Sequence, residues 1–155
     1  MVRTKATSGC RPLPPHDRAL VIRAALRWLL ALFYAVAGYF HVTQPEPFLR
    51  IMPDVVPLPE AVVLLTGIAE LLGAAALAQP WSKPLQRAGG MGLALYALCV
   101  WPANINHFAM DMARPDHGWG LAYHLPRMLA QPVLSWLALW TGGVTGWPWR
   151  RRSTP

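Results

Sequence analysis

AVVLLTGIAELLGAAALA, residues 61–78, is the stretch whose reading decides the fold. Every residue in it is apolar or small except Thr66 and one carboxylate, Glu70. At about 1.5 Å of rise per residue, its eighteen residues reach roughly 27 Å, close to the hydrocarbon thickness of a bilayer. A carboxylate in the middle of such a span is costly unless it is protonated, paired or wetted. The rest of the chain has to supply Glu70 with partners.

Composition points the same way. Of 155 residues, 54% are hydrophobic and only 14% charged, with eight Trp. A soluble domain carries about a quarter charged residues. The net charge of +7 does not imply nucleic acid, because no binding motif accompanies it. The basic residues sit instead at the two ends and in one short loop, beside apolar segments. Cys10 and Cys99 form no CxxC, and Cys99, inside an apolar segment, reads as a packing residue.

Working outward, the expected class is all-α: an integral membrane four-helix antiparallel bundle over residues 16–143. Its helices are expected at about 17–42, 61–78, 88–109 and 119–141, with basic cytoplasmic tails at 1–15 and 144–155. The first helix opens near Asp17, a plausible N-cap, and ends in Gly38-Tyr39-Phe40-His41. The small-x-small run Ala35-Val36-Ala37 is too far from the start, and too deep in apolar sequence, to end a cleaved signal peptide. Five prolines between residues 43 and 60 forbid a regular helix there, yet Phe48, Leu49, Ile51 and Met52 predict a short helical turn over the bundle mouth. Gly89, Gly90 and Gly92 predict close helix packing. Pro126 and Pro132 predict a kink in the last helix.

Charge sets the orientation. Arg3, Lys5, Arg11, Arg18, Arg23, Arg27, Lys83, Arg87 and Arg150 to Arg152 fall on one side, against Arg50 and Arg114 on the other. This positive-inside bias places both termini in the cytoplasm and the chain in the plasma (inner) membrane.

The polar residues of the spans converge. His124, Arg127, Gln131 and Ser135 follow one another at steps of three, four and four, which places them on one helical stripe. Asn104 and His107 lie one turn apart on the third helix, and His41 ends the first. Counting inward, His41, His107 and His124 lie at the mouth of a funnel, and Glu70 and Gln131 lie deepest. Glu70 is ten residues, or about 15 Å, from Glu60; Arg127 is eight, or about 12 Å, from Trp119. These depths predict that Glu70 and Arg127 share one polar network. The same residues also suit a structural pair fixing helix register, with Asn104 and Gln131 bonding across helices.

Taken together, the chain resembles the DoxX-like family of small four-helix membrane proteins. The resemblance covers residues 31–140 and rests on Gly38-Tyr39-Phe40-His41 with Pro45, and Ile51-Met52-Pro53 with Pro57 and Pro59. It continues through Gly67-Ile68-Ala69-Glu70, Pro102-Ala103-Asn104-Ile105, and Arg127 with Gln131 and Trp136. The chain departs from the family in having Leu129 where a proline often follows the arginine. The resemblance implies a place among membrane subunits linked to quinone-dependent oxidation of sulfur compounds or to thiol redox balance, many relatives having no assigned activity.

Three functions follow as expectations. In the first, a redox-linked subunit handles a quinone or similar amphipathic molecule in a pocket open to the extracytoplasmic side. Glu70 moves the proton there, and Arg127, Asn104 and Gln131 hold carbonyl oxygens beside His41, His107 and His124. Tyr39, Trp101 and Tyr123 would flank the ring. No electron carrier is encoded, so a soluble redox partner or another membrane protein is required. In the second, the bundle is non-enzymatic, a carrier, chaperone or assembly factor. The third, a haem or metal on two of the three histidines, lacks the usual deep histidine pairs, and no resident metal is expected.

Overall fold

The computed structural model of the chain describes residues 15–147. The tails at 1–14 and 148–155, expected to be basic and cytoplasmic, lie outside the described residues. Among the described residues are six helices: α1 (Pro15–Thr43), α2 (Glu46–Leu49), α3 (Pro59–Ala78), α4 (Lys83–Cys99), α5 (Trp101–Met112) and α6 (Gly120–Gly142).

Each boundary has a local cause. Leu58 precedes α3 in the left-handed region at φ 50°, and Pro59 then opens the helix, where its missing N–H is no loss. Ser82 caps α4 by accepting the Leu85 N–H at 3.3 Å. Gly143 ends α6 at φ +86°, a backbone shape that costs glycine nothing. The turn between α3 and α4 is locked by amides: Gln86 Nε2 donates to the Gln79 carbonyl at 2.6 Å.

Several boundaries differ from those expected. α1 begins at Pro15, so Asp17 lies within its first turn rather than before it. The third helix is two helices, broken at Val100, because Pro102 has no N–H to continue the ladder. α4 starts at Lys83, inside the expected loop, and α5 runs on to Met112, which puts Asp111 on a helix.

Three stretches, Arg18–Thr43, Pro59–Ala78 and Lys83–Met112, are long and apolar enough to cross a membrane. α6, expected as the fourth span, has the length at 23 residues but interrupts its apolar run with His124, Pro126, Arg127, Gln131 and Pro132. The outer faces are greasy: Leu29, Leu32, Leu65, Leu72, Leu95 and Leu129 are all exposed. Cys99 is exposed among them rather than packed inside.

The long helices close a ring: α1 lies on α3, α3 on α4, α4 on α6, and α6 returns to α1 through a smaller contact. Leu30, Ala31, Tyr34, Ala74, Leu77, Leu93, Ala94 and Ala138 form the core shared by all four. Glycines bring two crossings close. A Cβ at Gly38 would stand 2.7 Å from the Gly67 carbonyl, and one at Gly90 would stand 2.6 Å from the Ala138 carbonyl. Gly89 packs on Ala76 as expected, but Gly92 faces open space on the outer side of α4. The 43–60 connector does contain one helical turn, α2, and Asn106 Nδ2 of α5 holds the Ile51 carbonyl beyond it at 3.1 Å.

Candidate functional site

Two polar centres occupy the bundle, built on different helices. The first centres on Glu70, 2% exposed on α3. The Gly38–Gly67 crossing brings α1 so near that a Cβ at Gly38 would also meet Glu70 Cβ at 3.0 Å. Glu70 thus faces α1, and its nearest ionisable partner there is His41, with Nδ1 at 2.7 Å from Oε2. The same Nδ1 lies 3.0 Å from the Ala37 carbonyl one turn earlier. A proton directed at Ala37 gives Oε2 no hydrogen bond, and Oε2 has no other partner. The contact sets an imidazole nitrogen against a carboxyl oxygen in the bundle interior. The Tyr96 hydroxyl of α4 is within hydrogen-bonding reach of the Glu70 carboxyl, and Tyr34 faces it from α1. Phe48 of α2 stacks on the His41 ring at 3.7 Å and covers it.

The second centre joins α5 and α6. On α5, Asn104, His107 and Asp111 follow at steps of three and four; on α6, His124, Arg127 and Gln131 repeat the same steps. Arg127 Nη2 donates to Asn104 Oδ1 at 2.5 Å. Its Nη1 reaches His107 Nδ1 at 2.9 Å and the Tyr123 hydroxyl at 3.1 Å. A guanidinium only donates, so His107 Nδ1 is the accepting nitrogen and its proton sits on Nε2, facing Asp111 Oδ2 at 3.7 Å. Asp111 Oδ2 also receives His124 Nε2 and the Trp119 N–H, both at 3.0 Å. The chain Asn104–Arg127–His107–Asp111–His124 is continuous. Gly118 lets the α5–α6 loop fold over it: at φ +50°, a Cβ there would run into the Asp111 carboxyl.

These placements correct the expected network. Arg127 and Glu70 form no ion pair among the described residues; each has its own histidine. Helical depth places a residue along the bundle axis but says nothing of which neighbour it faces. Gln131 is buried with Oε1 unpartnered, bonding to neither charge. Ser135, at the end of the same stripe, ties α6 to the Ala94 carbonyl at 2.7 Å. Tyr123 stands at Arg127 and Trp101 keeps a buried, unpartnered Nε1, but Tyr39 points outward. Asp111 lies beyond the helix expected at about 88–109, although its spacing of four from His107 already marks the shared stripe.

His107, Asp111 and His124 offer three ligand atoms within 4.8 Å of one another, a set that could hold a metal ion. Two features oppose it. The proton on His107 Nε2 occupies the lone pair a metal needs, and Arg127 adds a positive charge alongside. Of the three histidines named for a haem or metal, His107 and His124 come together, while His41 stands apart with Glu70. Arg127, by contrast, keeps capacity: three hydrogen bonds use Nη1 and one Nη2 proton, leaving Nε–H and the second Nη2–H uncommitted among the described residues.

Outside the helices, Arg114 grips Asp116 through Nε at 3.0 Å and Nη2 at 3.1 Å. That bond holds the Asp116 carboxyl below the ordinary carboxylate range. Both side chains are exposed, so the pair shapes only the loop surface.

An all-helical ring of membrane-length helices with ionisable groups turned inward defines the class of this protein. The chain belongs to the family described as Domain of unknown function (DUF8561), whose model matches residues 30–142. That stretch holds both polar centres complete. Among curated proteins and solved structures, none matches the chain.

Proposed function

We propose that the protein is an integral plasma-membrane bundle that binds a small amphipathic molecule of the quinone type and exchanges a proton with it. α1, α3, the α4–α5 pair and α6 are its four antiparallel spans, with both termini cytoplasmic. α6 spans because its polar stripe turns inward, where charged groups are tolerated. The exposed leucines on the outer faces and the DoxX-like motifs support this reading.

Glu70 carries it. A carboxylate this buried on the most apolar helix, 2.7 Å from an imidazole nitrogen and lacking a hydrogen bond at Oε2, is placed to take up or release a proton. His41 is the second proton carrier, and the uncommitted donors of Arg127 are suited to a carbonyl oxygen. Electrons would come from a separate redox partner. Quinone analogues should raise the melting temperature of the purified protein well above the response to unrelated lipophiles, and Glu70→Gln should abolish the difference. An equal response to every lipophile would refute the proposal.

A second reading, a non-enzymatic membrane bundle, is favoured by one observation. Asp111, His107, His124 and Arg127 are joined to one another without any ligand, Arg127 through three of its five donors. Under that reading the second centre fixes the register of α5 against α6.

A further inference from the structure

At the end of the bundle away from Asp111, a cavity of about 390 Å³ opens between the first turns of α1, the start of α4 and the end of α6. That volume lies within the usual range for small-molecule sites, about 300–1,000 Å³. Arg23, Arg27, Lys83 and Arg87 all line it, and no carboxylate does among the described residues. None of these four is in a salt bridge among the described residues. Like charges gathered in one recess repel one another, so a shared anion would relieve them.

The cations are held in place rather than merely nearby. The Arg23 guanidinium lies 5.6 Å over the Trp140 ring and runs along the end of α6 beside Gly143. Lys83 Nζ donates to Gln86 Oε1 at 3.1 Å, and Gln86 is itself pinned to the Gln79 carbonyl. Arg27 supplies the sharpest sign: its Nε is buried and has no hydrogen-bond partner. An orphaned guanidinium N–H on a residue that lines a cationic recess asks for an acceptor. Besides its two arginines, α1 also lends the cavity Leu20 and Ala24, and Leu20 is half exposed on the outer surface.

We propose that this cavity binds a phosphate-ester anion, either the headgroup of an anionic phospholipid or a free phosphate. Guanidinium groups match phosphate oxygens with paired donors, and basic recesses between membrane helices suit such headgroups. The Leu20 side gives acyl chains a path onto the outer face of α1. The site is independent of Glu70, and Arg23 and Arg27 precede the stretch that defines the family.

The test uses the full chain in neutral detergent, titrated with phosphatidylglycerol, phosphatidylcholine and inorganic phosphate while thermal unfolding is followed. Phosphatidylglycerol should raise the melting temperature and phosphatidylcholine should not. A matching response to inorganic phosphate identifies a free phosphate as sufficient; its absence identifies the lipid headgroup. Removing two cations in R27Q/R87Q should weaken apparent affinity about 25-fold, at about five-fold per cation. Should that variant fold poorly, R87Q alone should still show the single step. R114Q, at the opposite end, should respond like the parent. The proposal is overturned if neither anion shifts the parent, or if R87Q and R27Q/R87Q keep the full response. It is equally overturned if R87Q alone loses stability without anion, for then that cation serves the carbonyls ending α6.

Discussion

The two ends of the bundle hold their arginines in opposite circumstances. At one end Arg127 spends three hydrogen bonds on Asn104, His107 and Tyr123, with Asp111 one histidine away. At the other, Arg23, Arg27, Lys83 and Arg87 share a cavity that no acid lines among the described residues, and Arg27 Nε has no partner among them. The first end balances its charges within the chain, so it can be rigid without help. The second leaves its charge for something outside the chain to balance.

The largest effect should therefore come from Arg127. Arg127→Gln strands Asn104 Oδ1 and His107 Nδ1 and should cost about 3 kcal/mol of stability in chemical denaturation. Arg27→Gln, the matching change at the other end, should leave stability in neutral detergent unchanged or slightly raised. A comparable loss at both would erase the contrast.

A smaller effect is expected at Gly118, where the loop closes over Asp111. Gly118→Ala forces a Cβ into the carboxyl at a positive φ and should cost about 1–2 kcal/mol, read as a lower melting temperature. A silent substitution would mean that the loop does not rest on the carboxylate. Least of all should come from Arg114→Ala. It frees Asp116, whose lowered pKa means the pair contributes only above the ordinary carboxylate range and is lost as pH falls through the folded value. No stability difference should be measurable at neutral pH, nor any change between pH 7 and acid beyond that of the parent.

Much of this contrast could be read from sequence, and its gaps have physical reasons. The stripe from His124 to Ser135 was legible because helical period alone places those residues on one face. Asp111 was not, because Arg114, Asp116 and His117 make its surroundings read as loop, while the backbone runs on through Met112. The break at Val100 was written in Pro102, yet the apolar pattern continues across it and hides the interruption. Glu70 and His41 seemed far apart because depth was counted along separate helices. The Gly38–Gly67 approach, which turns Glu70 toward α1, depends on a packing partner that no single segment specifies. The basic cavity is hidden in the sequence because its members serve there as orientation signals, a reading sufficient for each by itself.

The central claim is that Glu70 belongs with His41 and not with Arg127. Double-mutant cycles on stability test it directly, using Glu70→Gln with His41→Gln and Glu70→Gln with Arg127→Gln. The first pair should couple by more than about 1 kcal/mol, and the second should add within about 0.5 kcal/mol. Additive losses for Glu70 and His41, or strong coupling between Glu70 and Arg127, would contradict it.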